Sequence, residues 1–243
     1  ALLKRADLVL VTSPQYKNAS NPLQTFKDKV KILPNAINEK NFILQQGDEV
    51  EIENIKEKYS NKKIVFFVGR HIQYKGLPYL VEAERFIKSD CEIIIAGDGP
   101  LTDKLKSACH SSRVHFVGRL DDNELRWHHY AASIFAFPSI TKNEAFGVAL
   151  AEAMYCGTPA VTFTIPGSGV NWVSLNNITG LEVSNEDCKA YAGAIDKLLI
   201  DDRLREQFAR KSMERVKEHF TIPIMIHLLD SYYKNMFENI YSK

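Results

Sequence analysis

The amino-acid sequence predicts an α/β protein built on a parallel β-sheet with helices on both faces. From residue 64 onward, short continuous apolar stretches alternate with amphipathic stretches of helical spacing. Glycine and polar residues follow most of the apolar stretches and predict loops there. Strands covered on both faces are apolar throughout, and the helices between them supply the crossovers that parallel strands need. Ligands of such sheets bind at the carboxyl ends of the strands.

Six apolar stretches supply the predicted strands of the sheet. They cover residues 64–69, 92–97, 114–118, 134–138, 160–163 and 180–183. The intervening amphipathic stretches predict helices at residues 76–88, 101–109, 122–130 and 146–154. Asp121 or Asp122 is a suitable N-cap for the third of these helices, and Gly157 ends the fourth.

Further elements are predicted on either side of this alternation. They are short strands at residues 8–12 and 30–34 and helices at about residues 49–59, 187–200, 202–219 and 224–241. Pro223 breaks the helical run before the last of these helices. The apolar and aromatic residues of that helix cover a wider face than a lone surface helix needs. We therefore expect it to pack against another part of the protein.

Charge balance and composition exclude several classes of function. Lys+Arg minus Asp+Glu is 31 − 30 = +1 over 243 residues, which does not support a nucleic-acid binder. The four cysteines are scattered without a C-x-x-C pair and fit reduced thiols of a cytosolic protein. The spacing of the histidines and cysteines indicates no metal site. No apolar run reaches the roughly 18–20 residues of a membrane span.

The fourth predicted strand runs through a short polar loop directly into a helix. Backbone N–H groups at the start of a helix are unpaired and favour an anion. Gly147, in the first turn, lets a ligand approach the backbone closely. Glu144 and Glu152 flank this turn, and a carboxylate accepts hydrogen bonds from sugar hydroxyls. The stretch therefore suits a molecule with phosphate and hydroxyl groups. The alternative is a carboxylate that only complements the helix dipole.

Two cations follow the first predicted strand. Arg70 comes directly after the strand, and Lys75 precedes the next helix. Both are expected at the carboxyl edge of the sheet, where a planar guanidinium and a mobile ammonium suit a diphosphate. The alternative is a pair of solvated loop charges.

Glycine-containing loops also end the second and third predicted strands. Gly97 and Gly99 permit close approach of a ligand, but the later glycine of the dinucleotide fingerprint is absent. Leu120 is placed to lie against a base, while Arg119 is either a ligand contact or a surface charge. Residues 166–170 predict another flexible loop on the same edge.

In combination, these motifs resemble a known enzyme family. They are Gly69-Arg70 with Lys75-Gly76, Gly97-Asp98-Gly99-Pro100, Val117-Gly118-Arg119, and Glu144 with Glu152. Over roughly residues 1–220 the chain is similar to the retaining, two-Rossmann-domain (GT-B) glycosyltransferases, which include bacterial mannosyl-, glucosyl- and N-acetylglucosaminyltransferases. The resemblance implies a Rossmann-like parallel sheet, the C-terminal half of a GT-B fold, followed by C-terminal helices.

The resemblance also implies roles for individual residues. Arg70 and Lys75 would hold the diphosphate of a UDP-, GDP- or ADP-sugar, and Glu144 would lie at the donor sugar, which makes these three the predicted catalytic residues. Glu152 would bind the ribose hydroxyls. The other predicted donor-binding positions are Phe146, Gly147 and Val148 through their backbone amides, Gly97, Gly99, Arg119, and Leu120 beside the base.

The implied reaction moves a hexosyl group, with retention of configuration, to a glycan or lipid-linked acceptor in cell-surface polysaccharide or lipopolysaccharide synthesis. Arg70, Lys75 and the helix N-terminus would stabilise the charge that grows on the departing phosphate. The resemblance implies no metal and no separate cofactor. We expect a cytoplasmic protein, associated with the inner face of the membrane through its N-terminal domain.

The resemblance divides the chain into three predicted parts. Residues 1–38 would be a remnant of the N-terminal acceptor domain with its linker, residues 39–222 the donor-binding domain, and residues 223–243 a helix packing back toward the N-terminal domain. The family's acceptor site precedes Ala1, so we expect upstream residues, weak donor binding and no turnover by this chain alone. After the fifth strand, Val170-Asn171-Trp172 replaces the Pro-Glu of many relatives, which leaves the sugar contact there open.

Two other functions remain open on the sequence alone. A sugar-nucleotide epimerase has a similar two-domain shape, but it would lack the spacing of these two cations and two carboxylates. A nucleotide-sugar-binding fragment without activity of its own would keep the same site.

Overall fold

The structure, a computed structural model, describes residues 2–241 of the chain, with side-chain surroundings described over residues 2–238. The strands within these residues are β1 (Val9–Val11), β2 (Val30–Ile32), β3 (Lys63–Val68), β4 (Cys91–Ala96), β5 (Val114–Gly118), β6 (Ile134–Phe137), β7 (Ala160–Phe163) and β8 (Gly180–Val183). The first two strands form a small sheet, and the other six form a large one.

Helices connect the strands and complete the C-terminal part of the chain. Those described are α1 (Leu2–Arg5), α2 (Pro14–Ala19), α3 (Asn21–Gln24), α4 (Asp48–Lys58), α5 (Leu77–Glu84), α6 (Thr102–Ala108), α7 (Asp122–Ala131), α8 (Val148–Tyr155), α9 (Val170–Val173), α10 (Cys188–Ile200), α11 (Asp202–His219) and α12 (Ile222–Tyr241). Short 3₁₀ turns occur at Lys27–Lys29, Glu39–Phe42 and Gln73–Lys75.

The large sheet has the strand order β5-β4-β3-β6-β7-β8, and every neighbouring pair is parallel. All six strands were predicted from the sequence, and the predicted α/β fold with helices on both faces is confirmed. From β3 the chain adds β4 and β5 on one side of the sheet. It then returns to the other side of β3 and adds β6, β7 and β8 in turn. The strand order therefore reverses between β3 and β6, and ligand crevices of such sheets open at the carboxyl edge beside this point.

The core is dense because the central strands are apolar on both faces. Val65, Phe66 and Phe67 of β3 have no exposed surface, and neither do Phe135 and Phe137 of β6. Helix α10 packs beside α5, and α4 packs beside α7. Burial on this scale fixes the register of the strands, and it thereby fixes where their carboxyl ends stand relative to one another.

Two helices begin two residues away from their predicted starts. Helix α8 begins at Val148 rather than at residue 146, because Gly147 has φ = +90°, a left-handed conformation outside the helical region. Helix α12 begins at Ile222 and includes Pro223 in its first turn. Proline is tolerated there, since an N–H in the first turn has no intrahelical acceptor. The N-cap prediction for α7 is confirmed, because the Asp121 side chain accepts from the Asn123 and Glu124 backbone N–H groups.

The N-terminal segment and the last helix are joined to one another. Strands β1 and β2 are parallel, and Val11, Leu23 and Val30 form a small core of their own. The Tyr232 hydroxyl of α12 donates to the Ile32 carbonyl at 2.8 Å. The predicted part boundaries at residues 38 and 222 stay predictions.

Within the described residues, none of the helices combines the length and the apolar character that crossing a bilayer would require.

Candidate functional site at the carboxyl edge of the sheet

The loops after β3 and β6 are locked together at the crevice. Gly76 has φ = +67°, and a Cβ atom at this position would lie 1.8 Å from the Pro138 carbonyl oxygen. The Ile140 N–H donates to the Tyr74 carbonyl at 3.0 Å. Only glycine allows this approach at residue 76, so the sequence itself holds the two loops in contact.

Lys75 and Glu144 meet across this junction. The Lys75 Nζ–Glu144 Oε2 distance is 2.5 Å, and the two side chains are only 14% and 10% exposed. The Ser139 hydroxyl also donates to Glu144 Oε2, at 3.1 Å, and the Ser168 hydroxyl donates to the Glu144 backbone carbonyl. The Lys75 ammonium lies 5.4 Å from the centre of the Phe137 ring. The structure thus brings together two predicted catalytic residues and holds them from several sides.

A cavity of about 340 Å³ opens at the ends of β3, β4 and β5. Its lining residues are Val68, Gly69, Arg70, Gly97, Asp98, Arg119 and Leu120. Gly69 in this lining is next to Lys75, since a Cβ atom there would lie 3.8 Å from Lys75 Cε. Arg119 Nε donates to Asp98 Oδ2 at 2.9 Å, and this contact lowers the pKa of the Asp98 carboxyl. Four of the predicted site residues, Arg70, Gly97, Arg119 and Leu120, therefore share one cavity.

Arg70 differs from Lys75 and Arg119 because its side chain is not paired with a carboxylate. It is exposed at the mouth of the cavity, and among the described residues it has no side-chain hydrogen bond or ion pair. The positive charge of Arg70 helps to lower the pKa of the Asp98 carboxyl. An unpaired guanidinium at the mouth of the cavity is available to an anionic ligand.

The start of α8 presents backbone donors beside the Lys75–Glu144 pair. The backbone N–H groups of Phe146, Gly147 and Val148 donate to no described residue. The Phe146 side chain is buried and packs edge-on against Phe220, with ring centroids 5.3 Å apart. Only its backbone is therefore available to a ligand. A Cβ atom at Gly147 would lie 3.0 Å from the Phe137 ring, so the chain passes this point with little room.

Glu152 lies one turn further along α8 and is mostly buried. It has no hydrogen-bond or ion-pair partner in the part of the chain that the structure describes. Burial raises the pKa of its carboxyl to about 7, and the nearby Asp122 carboxylate adds to the shift. Asp122 begins α7, two residues after Leu120 of the cavity, so Glu152 is close to the segment that forms the cavity wall.

The structure places one predicted site residue outside the cavity and buries part of one predicted loop. Gly99 does not line the cavity. It lies against His71 instead, where a Cβ atom would come 2.6 Å from the His71 carbonyl oxygen. The loop at residues 166–170 was predicted to be flexible, but Ser168 and Val170 are fully buried, and Val170 begins α9. Ser168 is fixed because its hydroxyl bonds to the Glu144 carbonyl.

A larger groove of about 880 Å³ lies between the N-terminal segment and α12. Leu8, Phe26, Lys29, Tyr232 and Met236 are among the residues that line it, and none of the predicted site residues does. Because the groups suited to phosphate and hydroxyls converge at the sheet edge, we assign the candidate site there despite its smaller volume. Among the described residues there is no group of three or more His, Cys, Asp and Glu side chains arranged to hold a metal ion.

Comparison with known proteins identifies the family. The pattern of the family described as "Glycosyl transferases group 1" matches residues 48–215, which is more than half of the chain and includes every predicted site residue. The chain belongs to the glycosyl transferases group 1 family.

The relatives of the chain include named bacterial glycosyltransferases. The O-antigen chain mannosyltransferase C of Escherichia coli is 26% identical over 233 residues, which cover 95% of this chain and 60% of that protein. The D-rhamnosyltransferase WbpZ of Pseudomonas aeruginosa is 28% identical over 222 residues, which cover 90% of this chain and 57% of that protein. The chain therefore spans about three fifths of the length of these curated relatives.

The solved structures agree with the family assignment. The sucrose-phosphate synthase of Thermosynechococcus elongatus superimposes with a TM-score of 0.84 at 26% sequence identity, over 98% of this group 1 chain and 60% of that chain. The predicted resemblance to GT-B glycosyltransferases is confirmed at the level of family and fold.

The sequence analysis did not identify several residues that hold the candidate site in place. Ser139 and Ser168 anchor Glu144, Asp98 holds Arg119, and His71 with Thr102 ties the loop after β3 to the loop after β4. The available signal at Ser139 was a small polar residue directly after an apolar predicted strand. Nothing local in the sequence shows which distant group such a residue contacts.

Proposed function

We propose that this chain is the donor-binding part of a glycosyltransferase and that it binds a nucleoside-diphosphate sugar in the crevice at the carboxyl edge of the sheet. One observation carries the proposal. Arg70, the N–H groups at residues 146–148 and the Glu152 carboxyl all lack hydrogen-bond partners among the described residues. Arg70 lines the cavity, and the other groups follow β6, whose loop contacts the loop after β3 at Gly76. Unpaired donors and an unpaired carboxyl suit a ligand with both anionic groups and hydroxyls.

The diphosphate would lie between Arg70 and the start of α8. A guanidinium offers a planar fork to phosphate oxygens, and backbone N–H groups at a helix start offer further donors. Lys75 lies at the same junction and is already fixed by Glu144 at 2.5 Å. These groups would stabilise the negative charge that grows on the departing phosphate as the sugar leaves. That role makes Arg70 and Lys75 the proposed catalytic cations.

The nucleoside would occupy the cavity of about 340 Å³. Its base would lie against Leu120, with Arg119 held nearby by Asp98. Glu152 would accept hydrogen bonds from the ribose hydroxyls, which supply the donors that its carboxyl lacks. Gly97 allows the backbone at the cavity wall to come close to the ligand. A related fold from Anabaena, 19% identical, was solved in complex with UDP and glucose, which supports a nucleoside diphosphate as the ligand type.

The sugar would lie at Glu144, on the opposite side of the diphosphate from the base. We propose that the hexosyl group is transferred with retention of configuration through an oxocarbenium-like state, without a metal or a separate cofactor. The acceptor would be a glycan or lipid-linked saccharide of a cell-surface polysaccharide. The names of two relatives, the O-antigen chain mannosyltransferase C of E. coli and the capsular polysaccharide biosynthesis glycosyltransferase CapM of Staphylococcus aureus, support this class of product. Family membership favours a transferase over an epimerase.

Isothermal titration calorimetry of the chain with UDP, GDP and ADP tests the proposal. We expect saturable one-to-one binding of at least one of the three, and the same titrations identify the preferred base. The corresponding free nucleosides serve as controls and should bind more weakly, because they lack the diphosphate that Arg70 and the helix start would hold. A chain that binds none of the three diphosphates at millimolar concentration would not be a donor-binding domain.

A further inference from the structure

We infer that His71 and Thr102 are positioning residues that hold the loop at residues 97–99 in the shape required for donor binding. The inference rests on the proposed function, because it concerns the wall of the same cavity. Neither side chain is among the cavity-lining residues, so both would act through the backbone that they hold.

The two side chains form a chain of hydrogen bonds with one consistent direction. His71 has no exposed surface, and its Nδ1 lies 2.8 Å from Thr102 Oγ1 while its Nε2 lies 3.4 Å from the Ala96 carbonyl oxygen. Since a carbonyl only accepts, Nε2 carries the proton and donates to Ala96. Nδ1 then accepts from the Thr102 hydroxyl. The Thr102 oxygen in turn accepts from the Gly99 N–H at 2.9 Å.

Backbone contacts link the same two loops. The His71 N–H donates to the Asp98 carbonyl at 2.7 Å, and the Leu101 N–H donates to the His71 carbonyl at 3.1 Å. A Cβ atom at Gly97 would lie 2.1 Å from the Gly69 carbonyl oxygen. The loop after β4 therefore contacts the loop after β3 at Gly97, Asp98 and Leu101. The His71–Thr102 pair adds a side-chain contact between the same loops.

This attachment has a consequence for the ligand site. Arg70 directly precedes His71 in the chain, and Asp98, which holds Arg119 at 2.9 Å, lies between the two glycines of the held loop. The distance between the proposed phosphate-binding cation and the base-binding wall therefore depends on how the two loops are joined. A buried, neutral histidine suits this task because burial lowers its pKa and keeps Nδ1 an acceptor at pH 7.

Two substitutions at Thr102 separate the hydroxyl from the volume of the side chain. Thr102→Val keeps the shape and removes the hydroxyl, and we expect it to weaken binding of the preferred nucleoside diphosphate about tenfold, the effect of losing one or two hydrogen bonds. Thr102→Ser keeps the hydroxyl, and we expect affinity within about twofold of the wild-type value. Binding is measured by calorimetry with UDP, GDP and ADP, and far-UV circular dichroism monitors folding.

A double-mutant cycle tests whether the two residues act as one unit. His71→Phe keeps an aromatic ring beside Phe67 and Phe116, which both lie within 6.4 Å of the imidazole by ring centroid, and removes both nitrogens. We expect this variant to lose about as much affinity as Thr102→Val and the double variant to lose no more than either, since a shared chain of hydrogen bonds is broken only once.

The possible failures are distinguishable. If wild type binds a nucleoside diphosphate and Thr102→Val binds it equally well, the inference is overturned and the proposed function stands. If the two losses multiply in the double variant, His71 and Thr102 do not act together. If wild type binds none of the three nucleotides, the proposed function fails and the inference fails with it.

Discussion

The Lys75 ammonium and the Glu144 carboxylate are in contact at 2.5 Å although 69 positions separate them in the chain. The contact exists because the loops after β3 and β6 meet where the order of the sheet reverses. In the ligand-free chain the proposed phosphate-binding cation and the proposed sugar-binding acid neutralise each other. Donor binding would then redistribute contacts within a site that is already assembled.

We expect Lys75→Met to lower the free energy of unfolding by about 3 kcal/mol. The substitution leaves the Glu144 carboxylate, which is only 10% exposed, without its cation. The double variant Lys75→Met with Glu144→Gln should recover at least half of that loss, because no unpaired charge remains. Urea denaturation monitored by circular dichroism measures both differences.

Lys142→Met is the matched control for this experiment. Lys142 lies on the exposed part of the loop that carries Glu144, and the same substitution there should change stability by less than about 0.5 kcal/mol. A loss at Lys142 as large as that at Lys75 would show that the ion pair is not what stabilises the junction.

Arg70→Ala is expected to weaken nucleoside-diphosphate binding far more than nucleoside binding. The lost interaction is a charge-assisted hydrogen bond, for which about 2 kcal/mol, or roughly thirtyfold in affinity, is a reasonable size. Calorimetry with the diphosphate and with the free nucleoside gives the two ratios. Arg85→Ala, on an exposed arginine paired with Glu82 outside the cavity, should leave both affinities unchanged. An equal loss for both ligands in Arg70→Ala would place Arg70 away from the phosphates.

Much of the fold could be predicted because the strands are apolar on both faces and the helices between them are amphipathic. Such patterns are local, so the six strands of the large sheet could be located from the sequence alone. The start of α8 was harder. It depends on the left-handed backbone of Gly147, and a glycine in the sequence permits that conformation without requiring it.

The candidate site was predictable in its residue types but not in its contacts. Arg70 stands out because it follows a strand closely, and Lys75, Glu144 and Glu152 stand out because they lie in the loop or the helix that follows a strand. The contact between Lys75 and Glu144 depends on strand order, which no single segment specifies. The same holds for the bond from Ser168 to the Glu144 carbonyl, which joins segments 24 residues apart. The types of residue in the site can therefore be predicted from local sequence, whereas the contacts between them depend on how the strands are ordered in the folded sheet.

We expect Glu152 to make stability fall as pH rises from about 4.5 to 7. Its folded-state pKa is raised to about 7 from a model-compound value of 4.5, so between these values the folded chain binds the extra proton. Raising the pH through this window ionises a mostly buried carboxyl and costs the folded state about 2 kcal/mol, allowing for its partial exposure. Glu152→Gln should match wild type near pH 4 and exceed it in stability by about that amount at pH 8.

Urea denaturation at pH 4, 6 and 8 measures this difference. Glu206→Gln, at an exposed position on α11, serves as the control and should not reproduce the pH-dependent gain. A Glu152→Gln variant whose stability differs from wild type equally at all three pH values would contradict the raised pKa.

The same carboxyl should control ligand binding. Ribose hydroxyls donate hydrogen bonds, so the ionised form of Glu152 is the better acceptor, and binding near pH 7 should release a fraction of a proton. Calorimetry in two buffers of different ionisation enthalpy measures that proton. Glu152→Ala should abolish both the release and detectable nucleoside-diphosphate binding. Undiminished affinity in this variant would remove Glu152 from the site.

Gly97→Ala should unfold the cavity wall, because the backbone conformation and the available space both exclude a side chain there. Gly97 has φ = +102°, and a Cβ atom would lie 2.1 Å from the Gly69 carbonyl oxygen of the neighbouring loop. We expect a loss of roughly 3 kcal/mol in stability together with loss of nucleotide binding. Gly118→Ala, with φ = +78° but no neighbour within 4 Å, isolates the backbone strain and should cost about 1–2 kcal/mol. If the two variants were equally stable, the close approach of Gly69 to Gly97 would contribute nothing, and the two loops could not be joined as tightly as donor binding requires.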